Sequence, residues 1–237
     1  MSENNDDRPL NIFILRLFVL WKKEKLLTLL LKMLILLFST SNITSASAGI
    51  LAGLVTDNVT VSNCCTTGRV NLFSTNSSAV FNDAGGLVGY SGNSNIFNCF
   101  SNVTVNAVAS SESFSSANAG GLVGGSIYGT VSNCYSTGSV NSQGYFAHSG
   151  GISGSILNVK ISNCYSVSTI TANGINQSAA GGISGSYGKT VTNCAALNPK
   201  IESACDTESR YFGRICSTKT EGLSGNIAFD EMINKDK

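Results

Sequence analysis

The chain has 237 residues, of which 42% are apolar and only 12% charged, with 25 Gly, 2 Pro and a formal net charge of +1. That length supports one good-sized domain with a packed interior, and the scarcity of charge and proline excludes disorder over the bulk of the chain. The near-neutral balance gives no electrostatic basis for binding nucleic acid.

The head of the chain is apolar but interrupted. Leu10–Trp21 carries Arg16, Lys22–Lys25 is charged, and Leu26–Phe38 carries Lys32. The second run is too short for an ordinary membrane span and has the length of a signal-peptide core. Ala46-Ser47-Ala48 follows as an A-x-A cleavage motif. Residues 1–48 are therefore expected to be an export signal. The alternatives are an uncleaved membrane anchor through residues 10–38, or a head belonging to a truncated or frame-shifted gene. The segment Ser45–Gly49 (SASAG) also matches Ser116–Gly120 (SANAG), which opens a later repeat.

From Gly49 to Lys200 the only charged residues are Asp57, Arg69, Asp83, Glu112, Lys160, Lys189 and Lys200. This body is built from repeats. Four segments align directly: Ala84–Val105, Ala119–Val140, Ser149–Ile170 and Ala180–Ile201, opening AGGLVG, AGGLVG, SGGISG and AGGISG. An earlier copy runs from Ala48 to Val70. The Asn-Cys dipeptide recurs at Asn63, Asn98, Asn133, Asn163 and Asn193, in steps of 35, 35, 30 and 30. The length differences fall between the closing Val and the next Gly-Gly, as expected for loops on one flank of a stacked array.

Each copy alternates small polar and β-branched residues, the pattern of short strands, and no stretch has helical periodicity. One copy cannot bury Val61, Ile96, Val131, Ile161 or Val191 alone, but stacked copies can, with strands about 4.8 Å apart. The expected fold is all-β: a right-handed parallel β-helix, or solenoid, of about five to six coils. Residues 49–201 form the repeat body. Residues 202–237 form a degenerate repeat and C-terminal cap, with traces at Tyr211–Ile215 and Leu223–Phe229.

The pattern GGLVG followed by V-x-N-C-Y-S-T-G-x-V resembles the GLUG repeat of bacterial surface proteins, which also occurs in non-catalytic regions of immunoglobulin-A metallopeptidases. The resemblance covers roughly Ala48–Ile201. It implies a surface-exposed β-solenoid of the kind associated with adhesion, and it implies no enzymatic activity.

Several columns invite a chemical reading. Asn63, Asn98, Asn133, Asn163 and Asn193 could line a groove, but a column present in every copy is expected to be an amide ladder at a coil corner. Cys64, Cys99, Cys134, Cys164 and Cys194 follow. The chain has neither C-x-x-C nor a second histidine beside His148, so no metal or other cofactor is expected. A stack of buried thiols is the expected arrangement. Cys205 and Cys216 lie outside that column and form the candidate disulfide. Phe100, Tyr135 and Tyr165 make an aromatic stripe that either stacks on sugars or packs against neighbouring coils, with packing favoured. The Gly-Gly pairs lack the Lys and the helix of a phosphate loop.

Catalysis has little support. One histidine restricts any triad, H-E-x-x-H is absent, and the carboxylates Asp57, Asp83 and Glu112 fall one per distant loop. The expected role is a non-enzymatic, exported module at the cell surface or outside the cell. Its partners would be a host or cell-surface protein or glycan, with membrane contact only through the N-terminal segment. Contacts are expected from the loops Asn71–Asp83, Asn106–Asn118 and Asn141–Ser149. The alternative is a purely structural stalk or spacer of a larger surface protein.

Overall fold

The computed structural model describes residues 45–74, 81–109, 114–186, 188–218, 222–231 and 233–236, together with the backbone of residues 30–32. Among the described residues every element is a strand, and every strand pairing is parallel. Two sheets of 14 and 8 strands, the broad and the narrow sheet, run the length of a solenoid.

One turn illustrates the rest. Tyr135–Gly150 lies in the broad sheet, and the chain then turns a corner at Gly151 and Ile152. Ser153–Leu157 and Lys160–Ser162 run through the narrow sheet. A second corner at Asn163 and Cys164 returns the chain to the broad sheet at Tyr165–Ser166. Val61, Ile96, Val131, Ile161, Val191 and Leu223 stand in register on six successive levels, so the described chain makes about five turns.

Burial follows from stacking. Ile96, Val131, Ile161 and Val191 are covered on both sides and at most 1% exposed, whereas Leu223, on the last level, is 42% exposed. Val70, Val105, Val140, Ile170 and Ile201 form a second buried column in the broad sheet. A single coil leaves both columns open to water, and only neighbours close them.

The two halves of the repeat are sterically matched. A Cβ on Gly121 would overlap the carbonyl oxygen of Gly151 and stand 2.6 Å from Ser136 Oγ. Gly86 faces Ser101, and Gly151 faces Ser166, in the same way. The second glycine of GGLVG is thus empty so that the Ser of NCYS and the next coil's backbone can occupy its space. In return Ser136 Oγ donates a hydrogen bond to Gly151 O.

The step lengths of 35 and 30 also have a local cause. Val108 pairs with Gln143 and Ser116 pairs with Phe146, so seven residues on one coil span what two span on the next. The five additional residues fall between Val108 and Ser116. The expected third loop is corrected: Asn141–Ser149 lies inside the continuous 16-residue strand Tyr135–Gly150.

At the head, the A-x-A motif is part of the fold. Ser45–Gly49 pairs residue for residue with Phe81–Gly85, and Ala48 is 2% exposed. Its likeness to Ser116–Gly120 has the same origin, because both strands flank Phe81–Gly85. Leu30–Lys32 pairs with Cys65–Thr67. The expected signal or anchor otherwise falls outside the described residues. No helix among the described residues is long and apolar enough to cross a membrane.

At the other end, the same register continues through the tail. Arg210–Gly213 lies on Ser178–Gly181, and Ile233–Asp236 on Lys200–Ser203.

Candidate functional site

The sharpest column, Asn63, Asn98, Asn133, Asn163 and Asn193, occupies left-handed backbone at every corner, with φ of 54, 52, 52, 52 and 52°. Asn tolerates that conformation better than other residues carrying a side chain, which explains its recurrence. Gly225, with φ of 63°, takes the same position one level on. All five asparagines are exposed. Their amide ladder is slight: Asn98 Nδ2 donates to Asn63 Oδ1 at 3.5 Å. A tighter amide rung lies on the broad sheet, where Asn106 Nδ2 donates to Asn71 Oδ1 at 2.7 Å.

The cysteines beside them point inward. Cys99, Cys134, Cys164 and Cys194 are buried, and Cys64 is half-buried. Each thiol is satisfied by backbone. The Cys134 S–H donates to Ser132 O at 3.0 Å, while its sulfur accepts the Cys99 N–H at 3.4 Å. Hydrogen bonding to Cys134 and burial push the Cys99 thiol up to about 11, and hydrogen bonding to Cys134 likewise raises Cys164. Hydrogen bonding to Cys164 in turn lowers Cys134 and Cys194, so it is burial that shields the four sulfurs from reagents. On the last level Asn226 replaces Cys: its Oδ1 accepts the Cys194 N–H at 2.9 Å, and its Nδ2 donates to Val191 O at 2.7 Å. Asn can stand in because the corner needs one donor and one acceptor.

Replacing Cys134 by Val strands the Cys99 N–H and is expected to cost about 1–3 kcal/mol by urea unfolding. Under native conditions a maleimide should leave Cys99, Cys134, Cys164 and Cys194 unlabelled, as read by intact mass before and after denaturation. Labelling of all four in the folded protein would contradict the buried column.

The candidate disulfide is corrected. Cys205 pairs with Gly174 at the edge of the broad sheet, with its sulfur 3.3 Å from Thr207 Oγ1. Cys216 is buried on the column that passes through Ser153 and Ser184. The two belong to different columns, and no disulfide joins them.

The aromatic stripe is a true stack. The Phe100 and Tyr135 rings are 4.9 Å apart, and Tyr135 and Tyr165 4.7 Å apart, each pair within 3° of parallel. Tyr135 is covered by a ring on both faces, whereas Phe100 and Tyr165 each end the stack, beside Cys65 and Ala195.

The three carboxylates are not brought together. Asp57 is exposed in a left-handed turn, Glu112 lies outside the described residues, and Asp83 is buried in the strand Phe81–Gly85. Asp83 instead joins a hydrogen-bonded string that single-residue reasoning did not find. Asn118 Nδ2 donates to Asp83 Oδ1 at 2.8 Å, and Asn118 Oδ1 lies 3.0 Å from His148 Nδ1 and accepts from Ser116 Oγ at 3.2 Å. The signal was present in the aligned copies, because Asp83, Asn118 and His148 each sit two positions ahead of the Gly pair. Among the described residues no group of three or more His, Cys, Asp or Glu could hold a metal.

Burial pushes Asp83 up to about 7, against the hydrogen bond from Asn118, and pushes His148 down to about 4. Asp83 therefore binds a proton in the folded chain that the unfolded chain has released, and stability falls as pH rises from about 4 to about 7. His148 acts oppositely, lowering stability as pH falls through the window from about 6.5 to about 4. Asp83→Asn is expected to stabilise the chain by about 2–4 kcal/mol at pH 8, exposing the acid-side decline from His148 alone. Urea midpoints at pH 5 and pH 8 check this, and a pH profile unchanged by the substitution would contradict it.

A family model described as the GLUG motif matches residues 82–106 and 115–141. Each match runs from an Asp83–Asn118 string strand through the Gly-Gly corner, the narrow sheet and the Asn-Cys corner. No curated protein and no solved structure matches the chain.

Proposed function

Because the chain is a GLUG-repeat protein folded as a parallel β-solenoid, we propose that it is a non-enzymatic, adhesin-like interaction module, exported and displayed at the cell surface or outside the cell. The observation that carries this reading is an apolar patch on the outer face of the broad sheet. Tyr165, Val167, Leu197, Ile227 and Phe229 lie on two adjacent columns over three levels and are 39, 41, 41, 64 and 40% exposed. A contiguous apolar patch on an otherwise polar face marks a contact surface for a partner protein or glycan. With Asn141–Ser149 a strand, the sheet face joins the loops Asn71–Asp83 and Asn106–Asn118 as the contact surface of this reading.

A second reading, a stalk or spacer, draws on the unbroken corners and columns, which make the solenoid stiff.

Binding of the purified full-length chain to cell surfaces and to an immobilised glycan panel separates the two. The interaction reading expects saturable binding that falls about tenfold or more when Val167 and Leu197 are both replaced by Lys. Wild-type protein that binds neither surface nor panel would favour the stalk.

A further inference from the structure

We propose that the outer face of the broad sheet contains a slot for a single pyranose ring, formed where the aromatic stack stops at Ala195. This deepens the interaction-module reading and rests on it for its biological setting.

The column behind the slot runs Cys65, Phe100, Tyr135, Tyr165, Ala195 and Ile227, one residue per level. Three consecutive rings stack at 4.9 and 4.7 Å, close to the spacing of the strands that carry them. The next rung is only a methyl group, so the far face of Tyr165 has no ring against it. Tyr165 is exposed, while Phe100 and Tyr135 are half-buried. Beyond Ala195 the column resumes with Ile227, at 64% exposure. Two strand spacings, about 9.6 Å, separate the Tyr165 and Ile227 rungs, and one ring placed midway would continue the stack at its own period.

The gap is confined to this column. On the neighbouring column the same level is filled by Leu197, 41% exposed, which walls one side. On the other side lie the corner residues Asn163 and Asn193, both exposed. The slot therefore has an aromatic face and an apolar wall, with two exposed amides at the corner two positions before the Tyr165 and Ala195 rungs. An aromatic side chain would satisfy the face and wall but leave the amides unused. A pyranose offers an apolar C–H face to the electron-rich face of Tyr165 and hydroxyl groups to the amides of Asn163 and Asn193.

Saturation-transfer NMR on the full-length protein tests this. The probes are methyl β-D-glucopyranoside, methyl β-D-galactopyranoside and methyl α-D-mannopyranoside, with N-acetyltyrosinamide as the aromatic comparison. Transfer to at least one glycoside is expected. Ala195→Tyr, which supplies the missing rung, should weaken it about tenfold, and Tyr165→Ala should do the same. Thermal unfolding of Ala195→Tyr should match wild type or exceed it, since the substitution extends an existing stack. The proposal is overturned if no glycoside binds, if only N-acetyltyrosinamide binds, or if Ala195→Tyr binds glycosides as wild type does.

Cell-surface binding, measured in parallel, separates the slot from the broader reading. Cell binding retained by Ala195→Tyr while glycosides bind it as they bind wild type sinks the slot and leaves the interaction module standing. Glycoside binding lost in Ala195→Tyr, with wild-type protein failing to bind any cell surface, supports the slot and sinks the module.

Discussion

Gly121→Ala is expected to destabilise the solenoid by about 3 kcal/mol or more. The added carbon would overlap the Gly151 carbonyl oxygen and press on Ser136 Oγ. The carbonyl belongs to the next coil's backbone, and Gly121 N itself donates to Gly150 O at 3.1 Å across the same step. Relief requires moving two coils apart, which breaks both the corner and the register. Adding Ser136→Ala removes one of the clashes and leaves the carbonyl, so it should restore only part of the loss. Gly92→Ala is the control, since its Cβ would meet only side-chain atoms, Thr56 Cγ2 at 3.2 Å and Tyr90 Cε1 at 3.3 Å. That change should cost less than about 1 kcal/mol. Urea unfolding midpoints decide between them, and equal midpoints for the two variants would refute the steric match between GGLVG and NCYS.

Ile161→Ala is expected to cost about 3 kcal/mol, because the side chain is fully buried between Val131 and Val191 and its removal opens a cavity facing both neighbours. In a stacked array the stability of each coil is set by itself and its two interfaces, so position along the solenoid matters. Leu223→Ala, on the last level of the same column, should cost under about 1 kcal/mol, since Leu223 is 42% exposed and stacks on one side only. Hydrogen exchange should show the same gradient, with the amides of Val131 and Ile161 the slowest and those of Leu223 and Ile227 among the fastest. A loss at Leu223 equal to that at Ile161 would mean that the levels do not stack as described.

Much of this architecture was legible in the sequence because stacking copies its constraints into every repeat. Asn at a left-handed corner, Cys beside it and Val two positions before recur because each coil faces the same geometry. The number of levels and the slip of the fifth copy to Ile201 follow from the same alignment.

What was not legible depends on contacts between different columns. Asn141–Ser149 has the small polar composition of a loop, yet it continues a strand because its neighbours on both sides, Asn106 and Thr171, extend the ladder. Ala46-Ser47-Ala48 satisfies a peptidase pattern and a strand pattern with the same residues, and only pairing with Asn82–Ala84 distinguishes the second. Asn226 was hidden because the last level exchanges Asn-Cys for Gly-Asn, moving each role to a different residue type. Cys205 and Cys216 are eleven positions apart, but sequence distance carries no information about which column a residue joins.

The parallel, in-register stack is the premise of every contact above, and interstrand nuclear Overhauser effects on the isotopically labelled chain test it most directly. The expected pattern links Ile96 to Val131, Val131 to Ile161 and Ile161 to Val191 through amide and α protons at adjacent levels. Cross-peaks that instead join strands within one repeat in antiparallel fashion, with none between equivalent residues of successive repeats, would contradict the solenoid and the site built on its face.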